Sequence, residues 1–143
     1  MPELHDRTKR FDFIAIVKAI WVPFVSWLSA VLIVTFAGQP GVVCITPVAW
    51  LMSLWVGLRS VAYSRSAQKS SRLTEAGLAG GIFGLLQGVL FLVIMPLMGS
   101  IQAEEKQKAI LMSVVMIVFG TLVSAVLSMA IAASLERRRT TRS

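Results

Sequence analysis

The run Gly77-Leu78-Ala79-Gly80-Gly81-Ile82-Phe83-Gly84-Leu85-Leu86-Gln87-Gly88 decides how this chain is built. Glycines 80, 84 and 88 recur every fourth residue, which on a helix lays a stripe without side chains along one side, where a second backbone can come close. The stripe sits inside residues 76–103, a stretch with no charged residue. An apolar helix carrying such a stripe is a glycine zipper, and its partner has to be sought elsewhere in the sequence.

Two more uncharged stretches flank it, 19–58 and 109–135. A membrane-spanning helix needs about 20 mostly apolar residues, so 76–103 and 109–135 hold one span each and 19–58, much the longest, holds two. Its middle, Gly38-Gln39-Pro40-Gly41, is a turn signal. The expected spans are 13–37, 42–62, 76–98 and 109–135, joined by a basic loop at 63–75 and followed by a basic tail at 136–143. The chain has 143 residues, 56% of them hydrophobic, which leaves little for a soluble domain. The fold class expected is all-α: one integral membrane four-helix bundle made of two antiparallel transmembrane hairpins.

The positive charges orient it. Arg7, Lys9, Arg10 and Lys18 flank the first span, Arg59, Arg65, Lys69 and Arg72 border or fill the central loop, and Arg137, Arg138, Arg139 and Arg142 close the chain. The turn at 38–41 has no charge, and Glu104, Glu105, Lys106 and Lys108 cancel after the third span. With an even number of spans, the positive-inside rule puts both termini and the central loop in the cytoplasm. The formal charge of +7 then belongs to one face, where it meets anionic lipid headgroups. No groove-reading helix or stacking platform suggests a nucleic acid partner.

The zipper's partner follows from an antiparallel hairpin folded about the polar turn near residue 104. Gly88 then faces Gly120, Gly84 faces Ser124, Gly80 faces Ser128 and Ala76 faces Ala132, so small residues meet small residues turn after turn. The third and fourth spans are expected to make the tightest contact in the molecule, held by van der Waals packing and weak interhelical hydrogen bonds. Gln87, one residue off the stripe, is placed opposite Thr121, where an amide-to-hydroxyl bond between helices is expected; a ligand or ion contact in a pore is the alternative. The first hairpin, read the same way, sets Ser26 against Ser53, Ala30 against Ala49 and Val22 against Gly57.

Trp21 and Trp55 fall near the basic ends of their spans, with Tyr63 just beyond, where amphipathic rings anchor. Trp27 and Trp50 sit deeper, and each indole N–H needs an acceptor inside the bundle or on a partner or lipid. Pro23 and Pro47 each remove one helical hydrogen bond. Pro96 marks the outer end of the third span, and Met95, Met98, Met112 and Met116 gather about the outer turn as adaptable filling or a contact patch. Thr74 and Glu75 are expected at the start of the third helix. The central loop is rich in serine, which phosphorylation would make less attractive to the inner leaflet.

The chemistry available is narrow. His5, the only histidine, lies in the N-terminal tail, so no histidine in a span offers an axial ligand, and neither a metal site nor a cofactor is expected. Cys44 is the only cysteine, which forbids an intramolecular disulfide. Asp12, Glu75, Glu104 and Glu136 are all placed beyond the ends of the spans, leaving no midplane carboxylate for proton-coupled transport. No nucleophile with a base and orienting group can be assembled. The expectation is a non-enzymatic accessory or scaffold subunit of a larger membrane complex in a bacterial cytoplasmic membrane. Its partners would be lipids and another membrane protein or further copies of itself; an oligomeric pore or small-solute transporter is the alternative.

Overall fold

The computed structural model describes residues 13–36, 42–64, 69–98 and 103–141, with side chains over 13–33, 47–64, 70–93 and most of 111–138. The described residues form helices α1 (Phe13–Phe36), α2 (Val42–Tyr63), α3 (Lys69–Met98) and α4 (Ala103–Thr140), with no strand among them. Three stretches are long and apolar enough to cross a membrane: Phe13–Ile33, Ser70–Val93 and Ile117–Arg138. At 1.5 Å per residue each matches a hydrocarbon layer of about 30 Å. α2 has 22 residues, the side chains of its first turn lying outside the described set. Pro23 and Pro47 both lie inside helices that continue past them.

The outward surface agrees with lipid as the solvent. On α4, Leu111, Val115, Val118, Phe119, Leu122 and Val126 are all more than half exposed. In water such a face would be a large uncovered apolar patch; in a bilayer it costs nothing.

Three helix ends differ from expectation by several residues. The segment expected as a loop over 63–75 is helical from Lys69 onward, and the tail expected from 136 is helical through Thr140, with α4 starting at Ala103 rather than 109. Hydropathy locates where lipid begins, but backbone hydrogen bonding has no reason to stop there, and charged side chains are stable on a helix that reaches into water. Thr74 is accordingly no helix-start residue: its hydroxyl donates to the Ser70 carbonyl oxygen one turn back, at 2.9 Å.

α3 and α4 make the most extensive contact, followed by α1 with α2, α2 with α4, α2 with α3, and α1 with α3. Among the described residues α1 and α4 do not touch, so they stand at opposite corners with α2 and α3 between them. The apolar interior forms two clusters. The larger joins Ile16, Ile20, Trp27 and Val31 of α1 to Val56 of α2 and Ala79 and Phe83 of α3. The smaller joins Val61, Ala76 and Ala132, from α2, α3 and α4.

The glycines report how closely the backbones approach. A Cβ on Gly84 would lie 2.8 Å from the Gly120 carbonyl oxygen and from Thr121 Cα, and 3.0 Å from Ser124 Cβ; one on Gly80 would lie 2.7 Å from Ser128 Cβ. The distances under 3.0 Å are closer than a carbon atom sits, so these positions admit only glycine at the present helix separation. Gly88 departs from its expected pairing. Its missing Cβ points at Ile117, 2.6 Å from Cγ1, whereas a Cβ on Gly120 would meet nothing within 4 Å. Four residues overshoot a full helical turn by about 40°, so a strict four-residue ladder walks off a straight seam. α4 corrects this with a three-residue step from Thr121 to Ser124, leaving Gly120 to contribute only its carbonyl.

In the first hairpin, Gly57 does not meet Val22. Its missing Cβ points into α4, 2.6 Å from the Ser128 carbonyl oxygen and 2.8 Å from Ser128 Cα. Ser128 is thus gripped between Gly57 of α2 and Gly80 of α3. The expected turn at 38–41, His5, and the side chains of Cys44, Met95, Pro96, Met98, Met112 and Met116 lie outside the described residues, and the polar turn expected about residue 104 is helical from Ala103 on, as the start of α4.

Candidate functional site

The polar side chains buried in the helix assembly fall into a neutral group at mid-depth and a charged group at one end. The neutral group is built on three serines. Ser53, Ser124 and Ser128 are 0, 3 and 0% exposed. The Ser53 and Ser124 hydroxyls are hydrogen-bonded at 2.9 Å, and the Ser128 hydroxyl donates to the Ser53 carbonyl oxygen at 2.7 Å. The Ser53 hydroxyl also lies 2.9 Å from the Ala49 carbonyl oxygen of its own helix. Serine is small enough for the backbones to close and still supplies a donor, so residues 124 and 128 serve α3 by their size and α2 by their hydroxyls.

Gln87 behaves otherwise than expected. It is 9% exposed, yet its amide nitrogen has no hydrogen-bond partner, and Thr121 sends its hydroxyl 2.7 Å to the Ile117 carbonyl of its own turn. The expected Gln87–Thr121 bond is therefore not formed: a threonine on a helix reaches its own preceding turn at no entropic cost, and that carbonyl wins. Trp27 is buried at 3%, 6.1 Å from the Phe24 ring between centroids, and its indole nitrogen has no partner either. Trp50 is 49% exposed and turned away from the interior.

The charged group gathers where α1 and α3 begin and where α2 and α4 end. Arg72 of α3 bridges Glu136 of α4 at 3.0 Å, with side chains 23% and 9% exposed. Glu75 is 1% exposed; one carboxylate oxygen accepts the Ser64 hydroxyl at the end of α2, and the other, Oε1, meets no donor. Arg59 reaches across to α1, donating from Nη2 to the Lys18 carbonyl oxygen at 3.3 Å and to the Tyr63 hydroxyl at 3.1 Å, with its guanidinium 5.1 Å above the Tyr63 ring. Arg138 is exposed at the same end, as is Arg137; the side chains of Arg65, Lys69 and Arg139 are outside the described residues.

This corrects the placement of the carboxylates beyond the ends of the spans: Glu75 and Glu136 are both buried, and both fall within the apolar stretches of α3 and α4. A signal for Glu136 exists in the sequence, because Ser124, Ser128, Ala132 and Glu136 continue one four-residue series. Glu75 stands beside Ala76, the last expected seam residue, and its only hint is that adjacency. Burying a carboxylate is costly unless it is paired, and Arg72 and Ser64 supply that pairing across helices. Among the described residues no group of three His, Cys, Asp or Glu side chains could hold a metal ion.

No protein-family model matches the sequence, and the searches of curated proteins and of solved structures returned no match. The class defined by the fold is an all-helical integral membrane protein with three helices apolar and long enough to span.

Proposed function

We propose that this is a non-catalytic integral membrane protein, an accessory or scaffold subunit of a larger complex in a bacterial cytoplasmic membrane. In this reading α2 is a fourth span, the helices form a bundle of two antiparallel hairpins zipped by Gly80 and Gly84, and both termini lie in the cytoplasm. The gathering of Lys18, Arg59, Arg72, Arg137 and Arg138 at one end supports that orientation. The observation that supports the scaffold role is the division of the deep indoles: Trp27 is packed into the chain's own core, while Trp50 on α2 faces outward at 49% exposure, as does the boundary Trp21 on α1 at 65%. Outward tryptophan is the residue type that most often anchors a membrane or protein contact.

The pore or transporter reading is weaker. The serine hydroxyls that would line a polar path are consumed in bonds between α2 and α4, and Gln87 is enclosed within a single copy. The test is purification of the tagged protein in mild detergent, with identification by mass spectrometry of what accompanies it. A defined partner that is lost in Trp50→Ala, while the chain's own stability changes by no more than about 0.5 kcal/mol, is the expected result. Recovery of the chain alone, together with solute release from vesicles containing it, would favour the pore.

A further inference from the structure

The uncharged stretch 19–58 is bounded by Lys18 at one end and Arg59 at the other. The fold brings those ends together: Arg59 Nη2 donates to the Lys18 carbonyl oxygen at 3.3 Å, so the first charges beyond the apolar parts of α1 and α2 stand side by side. Among the described residues neither is paired with a carboxylate, whereas Arg72 at the start of α3 is bridged to Glu136. Arg59 is held by neutral groups instead. The Lys18 carbonyl, the Tyr63 hydroxyl at 3.1 Å and the face of the Tyr63 ring fix the guanidinium without cancelling its charge, and Nη1 makes no hydrogen bond among the described residues. A guanidinium has more donors than these contacts use, so some remain for an anion.

The pair stands on the outside of the helix assembly. Lys18 is exposed on α1 with Val17, Trp21 and Val22, and Leu58 and Tyr63 are exposed on α2 on either side of Arg59 in sequence. Charge that begins on two neighbouring helices, with a tryptophan and a tyrosine beside it, marks the headgroup level of a bilayer, where the available anion is a lipid phosphate. We infer that Arg59 and Lys18 form a discrete site for one anionic phospholipid on the lipid-facing seam of α1 and α2, its phosphate held by the Arg59 guanidinium and the Lys18 ammonium. Two unpaired cations favour a headgroup of net negative charge over a zwitterionic one. The inference narrows the attraction expected of the whole basic face to two residues; it rests on α2 being a span, as proposed above, and not on the scaffold role.

The test is native mass spectrometry of the full chain released from vesicles of phosphatidylcholine mixed with phosphatidylglycerol. Wild type is expected to retain one lipid, with phosphatidylglycerol favoured roughly thirtyfold. Arg59→Gln and Lys18→Gln are each expected to lower that preference about fivefold, and Arg138→Gln, which removes an exposed cation of α4, to change it by less than about twofold. The Lys18 ammonium bonds nothing among the described residues, so Lys18→Gln reads the site even where Arg59→Gln fails to fold. The proposal is overturned if wild type retains no lipid or both lipids equally, if the two folded variants keep the wild-type preference, or if Arg138→Gln lowers it as much as they do, which would make the attraction a property of the whole face. Inorganic phosphate added to the chain in uncharged detergent is expected to give no adduct; one that is lost in Arg59→Gln would assign the site to a free anion instead. Labelling of Gln39→Cys and Ala62→Cys, each in a Cys44→Ser chain, from the two sides of the vesicle checks the span separately. Both labelled from one side would end the span reading, with the lipid comparison still deciding the site.

Discussion

The helix pair α1 and α2, of 24 and 22 residues, and the longer pair α3 and α4, of 30 and 38, are held together differently. α3 meets α4 backbone to backbone, because Gly80 and Gly84 have nothing to keep the partner away. α1 meets α2 and α3 through bulk: Ile16, Ile20, Trp27 and Val31 interlock with Val56 and Phe83, and Arg59 reaches over to the Lys18 carbonyl. The one glycine α2 has available at this depth, Gly57, is turned on α4 instead. Lipid is as apolar as leucine, so helices in a bilayer gain little by merely hiding apolar surface. Close approach and the hydrogen bonds it allows are what favour one pairing over another. α3 and α4 have the close approach and the Arg72–Glu136 bridge, while the serine hydrogen bonds of α4 go to Ser53 of α2, which also approaches closely at Gly57. α1 has neither glycine nor an interhelical serine bond among the described residues, so it is the most separable helix.

The largest effect expected from this contrast is at Gly84. Gly84→Leu drives a side chain into the Gly120 and Thr121 backbone and is expected to cost about 3 kcal/mol or more, whereas Gly120→Leu, with open space at its Cβ, is expected to stay within about 0.5 kcal/mol. Unfolding measured by steric trapping in bicelles compares them, and equal losses at the two glycines would end the distinction between contact and bystander. Next comes the bridge at the basic end. Arg72→Gln takes the guanidinium away from a Glu136 that is 9% exposed and is expected to cost roughly 1–3 kcal/mol, less than for a fully enclosed pair because Arg72 is partly exposed. Adding Glu136→Gln is expected to recover part of that loss in the same assay; a double variant worse than Arg72→Gln would show that the bridge is not what opposes the burial of Glu136. The smallest is at Ser53. Ser53→Ala removes one bond between α2 and α4 and is expected to cost about 0.5–2 kcal/mol, against nearly nothing for Ser29→Ala, whose hydroxyl only turns back to Val25 of its own helix. If the two serines proved equal, the link between α2 and α4 would rest on Gly57 and on the Ser128 hydroxyl's bond to the Ser53 carbonyl oxygen.

Much of this architecture could be read from residue order, and the exceptions share a cause. The helices, the pairing of α3 with α4 and the meeting of Gly80 and Gly84 with Ser128 and Ser124 follow from uncharged length and four-residue spacing. Gly88 and Gly120 did not pair because spacing alone ignores the slow rotation of a helix about its own axis. Thr121 did not bond Gln87 because a local acceptor was within reach. Ser53 was assigned to Ser26, since a hairpin argument considers only the neighbour in sequence; which third helix would lie over α2 has no trace in a pairwise register.

By itself the sequence determined an all-helical membrane chain, the location of its apolar stretches and the seam between the last two helices, because length without charge and periodic absence of bulk are local properties. Only the tertiary structure decided that Ser128 would be clasped from two sides and that Glu75 and Glu136 would be buried. Each of those depends on a helix arriving from elsewhere in the chain. Where it lands is set by the sum of many weak packing terms that no short stretch of residues contains.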